Sequence, residues 1–177
     1  MKAITRTVYG PPECLTFDEV AMPDVGDDDV LLKVHASSVN PYDWHLLRGE
    51  PYPLRLSAGL RRPKDHHMGI DVAGTVTAVG VNVTRFKAGD AVFGLARGAF
   101  AEYAVAEEKR LVLKAQSLTF ETAASLPCAA NTALIAVRDK GEVKSGTSVL
   151  VNGASGGVGS FAVQIAKSSH VCERFWT

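Results

Sequence analysis

A cluster of glycines near the end of the chain has the spacing of a phosphate-binding turn. It lies in VLVNGASGGVGSFAVQIAK, residues 149–167, between an apolar run and a helix-like pattern. The candidate cofactor-binding residues there are Gly153, Ser155, Gly156, Gly157, Val158 and Gly159. Glycines permit a tight turn and let backbone N–H groups approach a pyrophosphate, and the helix N-terminus supplies free donors and a positive dipole end. The alternative is a glycine-rich connector in an α/β domain.

The elements that surround this cluster predict two kinds of structure. Up to about residue 113, short apolar segments alternate with glycine and proline turns, which predicts a barrel or sandwich of β-strands. NPYDWHLLRGE predicts a short helix, and PYPLRLSAGLRRPKDHHM predicts a long irregular loop. Ser117 or Thr119 is expected to cap another short helix, and a longer helix follows to Lys140. A buried strand over 146–153 and a helix over 157–167 then open a βαβ unit. The apolar face of this helix is predicted to hold Val158, Phe161, Ala162, Ile165 and Ala166.

Composition and charge exclude several classes of function. The chain has 177 residues, of which 46% are hydrophobic and 21% charged, with a formal net charge of zero and a pI near 7.0. This balance predicts neither a nucleic-acid nor a membrane partner, and no segment reaches the length of a membrane helix. Cys14, Cys128 and Cys172 are far apart, which argues against a disulfide framework and a cysteine-based zinc site. A cytoplasmic location is therefore expected.

The order of the motifs resembles the medium-chain dehydrogenase/reductase superfamily, in its zinc-free quinone oxidoreductase branch. The matching stretches are VNPYDWHLLRG, GIDVAGTVTAVGVNVTRFKAGDAVFG, GAFAEYAV, AASLPCAANTAL and VLVNGASGGVGSFAVQIAK. The resemblance implies a β-rich GroES-like catalytic domain over 1–124 and the opening βα unit of an incomplete α/β Rossmann domain over 125–177. It also implies NADPH as cofactor, with NADH not excluded, a quinone or α,β-unsaturated carbonyl substrate in a cleft between the domains, and homodimeric full-length relatives.

The same resemblance supplies candidate site residues in the first domain and one in the second. Asn40 matches a position near the nicotinamide end of the cofactor, and it is otherwise a turn residue before a proline. Asp43 matches an acidic position, and it could equally cap the short helix. His45 replaces a tyrosine that often lines the substrate cleft, where it could donate a hydrogen bond to the substrate carbonyl or serve only in packing. Thr132 matches a threonine that faces the cofactor, or is a packed helix residue.

Two aromatic side chains complete the candidate catalytic segment. Tyr42 and Trp44 could line the same cleft as His45, as flat apolar walls. Tyr42, Asp43 and His45 form the predicted catalytic set.

The residues at the zinc positions of related enzymes argue against a metal. Zinc-dependent relatives place a cysteine where this chain has NPYD, and a Gly-His-Glu triplet where it reads Gly69-Ile70-Asp71. Isoleucine cannot ligate zinc, and the neighbouring His66 and His67 point to opposite faces of an extended backbone. We therefore predict no zinc site, which disfavours a metal-dependent alcohol dehydrogenase.

The last ten residues, SSHVCERFWT, depart from the family pattern. Glu173 and Arg174 interrupt the apolar run that a buried parallel strand needs. A ribose-reading residue is expected about 20 residues beyond the glycine turn, at or beyond Thr177. We expect the chain to be a piece of a longer zinc-independent oxidoreductase that transfers hydride from NADPH. We expect the piece alone to be inactive. The alternative function is a catalytically inactive fragment that acts through binding or association.

Overall fold

The chain divides into two compact units, Met1–Ser125 and Leu126–Thr177, and the computed structural model describes residues 1–168. We call the first the β-rich unit and the second the glycine-turn unit. The predicted boundary between residues 124 and 125 lies one residue from this division. The assignment of the units as a catalytic and a nucleotide-binding domain stays a prediction.

The β-rich unit contains a five-stranded antiparallel sheet and a separate two-stranded hairpin. Its strands are β1 (Lys2–Arg6), β2 (Leu15–Glu19), β3 (Asp29–Ala36), β4 (Asp71–Val79), β5 (Ala91–Leu95), β6 (Tyr103–Glu107) and β7 (Leu111–Leu113). The hairpin pairs β1 with β2, and the large sheet has the order β6-β3-β4-β5-β7. The predicted β-rich architecture is confirmed.

Alternating apolar residues on β3 and β4 build the core of this sheet. Val30 and Leu32 on β3, and Val72 and Val76 on β4, are each at most 1% exposed. Their registers place Val30 opposite Val79 and Leu32 opposite Val76. Because successive side chains of a strand point to opposite faces, these residues all cover one side of the sheet.

Three helices belong to the β-rich unit: α1 (Pro41–Arg48), α2 (Arg55–Ala58) and α3 (Phe120–Ala124). The first confirms the helix predicted in NPYDWHLLRGE. The second corrects the predicted irregular loop, because a 3₁₀ turn at Tyr52–Leu54 and α2 lie within it. Thr119 caps α3 as expected, since its hydroxyl accepts a hydrogen bond from the N–H of Thr122 at 3.2 Å. Short 3₁₀ turns also cover Pro12–Cys14 and Glu108–Arg110.

The glycine-turn unit is built from two helices, α4 (Pro127–Leu134) and α5 (Gly157–Ser168). A π-helical segment, Ile135–Lys140, continues α4 up to Gly141, which confirms the predicted end at Lys140. The two helices pack through four small or branched buried residues, Ala133, Val137, Ala162 and Ala166. Alanine at these positions lets the helix backbones approach closely.

The strand predicted over 146–153 does not form within the described part of the chain. Residues 147–151 have no strand assignment, and Leu150 is 74% exposed although it is the most apolar position of the segment. A strand exists only where a neighbour completes its backbone hydrogen bonds. Among residues 1–168 no strand pairs with this segment, and so the strand prediction is wrong for the part of the chain described.

The predictions about Cys172, Glu173 and Arg174 fall on residues 169–177, which lie outside the described residues. Within residues 1–168, no helix has both the length and the apolar character that crossing a membrane requires.

Candidate nucleotide and acceptor sites

The N-terminus of α1 is fixed by two of the predicted site residues. Asn40 is the N-cap with extended backbone angles, and Pro41 follows at the first helical position, where its missing N–H costs nothing. The backbone N–H of Asn40 donates to the Asp43 carboxylate at 2.8 Å. Gly49 ends the helix in the left-handed region at a φ of 63°, which glycine adopts without strain. The helix that presents Tyr42 and His45 is therefore defined at both ends.

Beneath this helix start lies a buried carboxylate that the sequence analysis did not select as a site residue. Asp71, the first residue of β4, is fully buried. Its Oδ2 accepts hydrogen bonds from the Ser38 hydroxyl at 2.7 Å and from the Asn40 amide at 3.0 Å. Buried carboxylates need such donors, because an unpaired charge in a protein interior is costly. An aspartate inside the apolar alternation of GIDVAGTVTAV was the signal for it.

Asn40 thus joins two carboxylates through different atoms. Its backbone N–H binds Asp43 and its side-chain amide binds Asp71. The side chains of Asn40 and Asp43 together form a capping box at the start of α1. Only 8% of Asn40 is exposed, so its first role is to hold the loop before α1 against β4.

Asp43 is buried as deeply as the core of the sheet, at 3% exposure. Burial raises the pKa of its carboxyl above the ordinary range, the Asn40 N–H opposes this shift, and the charge of Asp71 adds to it. The structure therefore shows Asp43 in the capping arrangement, which was one of the two alternatives left by the sequence. The catalytic role of Asp43 stays a prediction.

His45 is half-buried on α1, and its ring is oriented by the loop that follows. Its Nδ1 lies 2.8 Å from the backbone carbonyl oxygen of Glu50. A carbonyl oxygen only accepts, so Nδ1 must carry the hydrogen. In the neutral ring Nε2 is then bare and accepts, and only the imidazolium has a second N–H to donate. The predicted hydrogen bond from His45 to a substrate carbonyl thus requires the protonated ring.

Tyr42 and Trp44 lie on different sides of α1. Tyr42 is 45% exposed and lines a cavity of about 330 Å³, whereas Trp44 lines a separate apolar cavity of about 490 Å³ together with Leu47 and Met68. Positions two apart on a helix are about 200° apart around its axis, because a turn takes 3.6 residues. The two rings therefore line different cavities of the β-rich unit, and their role as walls of one substrate cleft stays a prediction.

The glycine turn precedes α5 and is compact. Gly153 has a φ of 72°, and its carbonyl oxygen accepts a hydrogen bond from the N–H of Gly156 at 3.0 Å. A Cβ added to Gly159 would overlap that same carbonyl oxygen. The turn can therefore fold back onto the first turn of α5 only because residue 159 is glycine.

The first backbone N–H groups of α5 are the natural anion-binding donors of this unit. The N–H of Ser160 is already bonded to the Gly156 carbonyl at 2.9 Å, which leaves the N–H groups before it without an intrahelical acceptor. Ser155 is exposed in the turn, and Val158 is 41% exposed. Val158 was predicted on the apolar face of the helix together with Ala162 and Ala166. That prediction is wrong, because Gly159 lies buried with these alanines while Val158 does not.

Thr132 lies on α4, the helix that packs against α5. Its hydroxyl donates to the carbonyl oxygen of Cys128 at 2.6 Å, one helical turn earlier. The side chain is exposed, and its oxygen retains capacity to accept. The structure therefore gathers the six residues of the turn into one group and places Thr132 on the neighbouring helix. In the other unit it brings Asn40 and Asp43 into direct contact.

Metal ligands are not gathered anywhere in residues 1–168. No group of three histidine, cysteine, aspartate or glutamate side chains has a geometry that could hold a metal ion there. His67 donates to Asp65, with Nδ1 3.0 Å from Oδ1, and Ile70 contributes no ligand atom.

Comparisons with known proteins agree with this arrangement. Residues 26–116 match the family model of the alcohol dehydrogenase GroES-like domain. The chain is 40% identical over 183 residues to the chloroplastic quinone-oxidoreductase homolog of Spinacia oleracea, and the match covers 97% of this chain and 54% of that protein. It is 38% identical over 178 residues to 2-methylene-furan-3-one reductase of Solanum lycopersicum, covering 94% and 44%.

The fold has the same relatives. A mycobacterial protein solved in complex with NADPH superposes with a TM-score of 0.87 at 33% identity, covering 99% of this chain and 52% of that one. The predicted fold class, a GroES-like domain followed by the start of a Rossmann domain, is confirmed by these matches. The chain spans about half the length of the curated relatives that it matches.

Proposed function

Because the chain belongs to the medium-chain dehydrogenase/reductase superfamily, in its quinone oxidoreductase-like branch, we propose that it serves an oxidoreductase that transfers hydride from NADPH to a quinone or an α,β-unsaturated carbonyl compound. The observation that carries the proposal is the glycine turn folded onto the N-terminus of α5. The names of the relatives, a quinone-oxidoreductase homolog and 2-methylene-furan-3-one reductase, support the two acceptor classes.

The residues of the turn fit a dinucleotide. Gly153, Gly156 and Gly157 are exposed and place no side chain between the backbone and a phosphate, and Gly159 lets the turn fold onto α5. The N-terminus of this helix offers backbone N–H donors to an anion. Ser155 adds a hydroxyl donor, and Val158 and Thr132 supply flanking contacts. When bound, the cofactor supplies the hydride. NADPH is proposed over NADH from the relatives, and the described residues contain no ribose-reading group that decides between them.

On the acceptor side, His45 is proposed as the group that polarises the carbonyl. Its Nδ1 is held by Glu50, so the protonated ring presents Nε2–H as a donor with a fixed orientation. Charge that develops on the acceptor oxygen is stabilised most by a donor that is already in place. The same Nε2–H could then pass its proton to the reduced acceptor. Tyr42 supplies a ring that contacts the acceptor, and Asn40 is proposed to lie at the carboxamide end of the cofactor.

Asp43 is proposed to hold the start of α1 in place and not to take part in the reaction. Its carboxylate holds the Asn40 N–H, and Asn40 in turn holds Asp71. Loss of these bonds would free the start of α1, on which Tyr42 and His45 depend. A displacement of about 1 Å at a reacting group can cost about a hundredfold in rate. We therefore propose Asp43 as a positioning residue.

Further properties follow from the family as proposals. The protein works without zinc, since Ile70 stands at a ligand position of the zinc-dependent relatives. It acts on a small molecule in the cytoplasm, although one relative is chloroplastic, and it forms a homodimer at full family length.

The direct test is steady-state oxidation of NADPH with one quinone and one enone, each repeated with NADH, by the 177-residue chain and by the protein at full family length. At full family length, turnover of at least one acceptor with a preference for NADPH is expected, whereas the 177-residue chain alone is expected to be inactive. A second candidate function, binding without turnover, is favoured by the observation that the matched relatives are about twice as long. Saturable NADPH binding in calorimetry with no oxidation of either acceptor would select that candidate.

A further inference from the structure

An arginine that forms no ion pair within residues 1–168 lies at the end of the first strand. Arg6 is 2% exposed, and its backbone N–H donates to the carbonyl oxygen of His66 at 2.9 Å. The preceding side chain, Thr5, bonds to Thr16 and Asp18 on the hairpin. Because consecutive side chains of a strand point to opposite faces, Arg6 is directed away from that carboxylate.

Nothing in residues 1–168 neutralises the Arg6 guanidinium. Its Nε and Nη1 are buried and have no hydrogen-bond partner in this part of the chain. The ring of Tyr9 lies 5.5 Å from its Cζ, a weak cation–π contact. Burial lowers the pKa of Arg6, and the negative charge of Asp65 is among the influences that oppose it. An arginine nevertheless stays protonated, so a buried charge with free donors is held here at a cost to stability.

The guanidinium lines the cavity of about 330 Å³ into which Tyr42 also faces. Lys64 and Arg97 add two more cationic side chains to the lining, and Asp65 is the one carboxylate. Asp65 is already engaged, because its Oδ1 accepts from both the backbone N–H and Nδ1 of His67 at about 3 Å. The cavity therefore has an excess of positive charge, and its most buried cation has unused donors.

We propose that this cavity binds the anionic group of the acceptor, so that the substrate is a quinone or enone that carries a carboxylate or a comparable anion. The inference rests on the proposed function, which makes the ligand a hydride acceptor, and on Arg6, which supplies the positive charge. A guanidinium binds a carboxylate through charge-assisted N–H bonds, and a bound anion would supply acceptors that the Arg6 guanidinium lacks in residues 1–168. The volume is at the lower end of the range for small-molecule pockets, which suits a compact molecule.

The test compares two probes that differ in charge and hardly in shape. Cinnamate and cinnamamide are titrated into the 177-residue chain by calorimetry at constant ionic strength. The wild-type chain should bind cinnamate at least about tenfold more tightly, as expected for hydrogen bonds between charged groups. Arg6→Met should abolish this preference, and Arg6→Lys should restore part of it. Lys64→Met should weaken cinnamate severalfold, while Lys87→Met, an exposed charge outside the cavity, should leave both affinities unchanged.

A stability readout separates an anion site from a structural arginine. If the charge is held for a ligand, Arg6→Met should leave the melting temperature of the free chain unchanged or raised, and cinnamate should raise it only in chains that keep Arg6. A large fall in melting temperature without a change in probe preference would make Arg6 structural and overturn the proposal. If Arg6→Met does not fold, Lys64→Met decides alone, and an unaltered preference there overturns it.

Two further outcomes would also contradict the proposal. Equal affinities of the wild-type chain for cinnamate and cinnamamide would show that the cavity does not select charge. Inorganic phosphate that binds as tightly as cinnamate and displaces it would show a site for free anions and not for an anionic acceptor. None of these results depends on NADPH. Failure to oxidise NADPH at full family length would therefore contradict the proposed function, but it would not change the measured preference of the cavity for an anion.

Discussion

The β-rich unit and the glycine-turn unit differ in how their apolar segments are completed. In the first, DVLLKV forms β3 and has a paired strand on each side, β4 and β6. In the second, TSVLV has a comparable apolar content, yet it forms no strand among the described residues and leaves Leu150 exposed. Among residues 1–168, the main cluster of buried apolar residues has eleven members in the first unit and four in the second.

This difference shows what an apolar pattern can and cannot determine. An apolar pattern indicates that a segment has a face to bury. It does not indicate a pairing partner, because the hydrogen bonds of a strand are made with segments elsewhere in the chain. Short-range features need no such partner. The glycine turn and α5 form in the same unit, because a positive φ at Gly153 and the missing side chain at Gly159 act locally.

The proposed chemistry is divided in the same way. The β-rich unit carries the candidate acceptor residues Tyr42 and His45 on the locally capped helix α1, and the cationic cavity at Arg6, which long-range packing forms. The glycine-turn unit carries the candidate cofactor residues, placed by local backbone geometry. Substitutions in the first should therefore alter stability and acceptor chemistry, whereas those in the second should alter cofactor affinity.

The largest expected effect compares one leucine from each unit. Leu32→Ala removes a fully buried side chain from the sheet core and should lower the free energy of unfolding by about 2–5 kcal/mol. Leu150→Ala removes an exposed one and should change it by no more than about 0.5 kcal/mol. Urea denaturation followed by circular dichroism measures both. A cost at Leu150 as large as that at Leu32 would mean that residues 147–151 are packed after all.

The next effect concerns catalysis on α1. If protonated His45 donates to the acceptor oxygen, His45→Phe should lower turnover about a hundredfold, the usual cost of one such donor. His66→Phe is the matched control, because His66 is an exposed histidine outside α1, and this change should alter turnover severalfold at most. Steady-state kinetics at full family length, with one quinone and one enone, provide the measurement. Unchanged turnover in His45→Phe would leave Nδ1 bonding to Glu50 as the main role of this histidine.

A smaller, pH-dependent effect is expected at Asp43. Its raised pKa means that the neutral carboxyl suits the fold, so its contribution to stability is complete at acid pH and is lost as pH rises through the raised pKa. The unfolding free energy of wild type relative to Asp43→Asn should therefore fall from about pH 4 upward. Urea titrations at several pH values measure this difference.

Asp18→Asn serves as a control with the opposite sign. Hydrogen bonds from Thr16 and Thr5 lower the pKa of Asp18, so its contribution is present above the ordinary aspartate pKa and is lost as pH falls through the lowered one. A difference that rises with pH for Asp43 would contradict the burial argument.

Removal of metal ions is expected to have no effect. Dialysis against a chelator should leave the melting temperature and any NADPH oxidation unchanged, and elemental analysis should find far less than one zinc per chain. Ile70 stands where a histidine ligand would be needed. Close to one zinc per chain, retained after brief dialysis, would refute zinc independence.

Much of the fold is predictable from the sequence because its signals are local. The alternation around Val72 and Val76, the proline after Asn40 and the glycine after α1 each act within a few residues. The burial of Arg6 and Asp71 is not predictable in this way. Asp71 is bonded to Ser38 and Asn40, more than thirty residues away, and Arg6 lines its cavity with segments up to residue 98. The exposure of Val158 was missed because Gly159, which has no apolar signal, occupies the buried position.

The central claim is that the turn from Gly153 to Gly159 holds NADPH, and its most direct test is a calorimetric titration of the 177-residue chain with NADPH. Wild type should bind saturably at one site. Gly159→Ala should bind at least about tenfold more weakly, a loss of about 1.4 kcal/mol, because the added Cβ meets the Gly153 carbonyl oxygen and forces the turn off the helix. Gln164→Ala, an exposed change on the same helix, should match wild type. No binding by wild type, or equal affinity in wild type and Gly159→Ala, would contradict the claim.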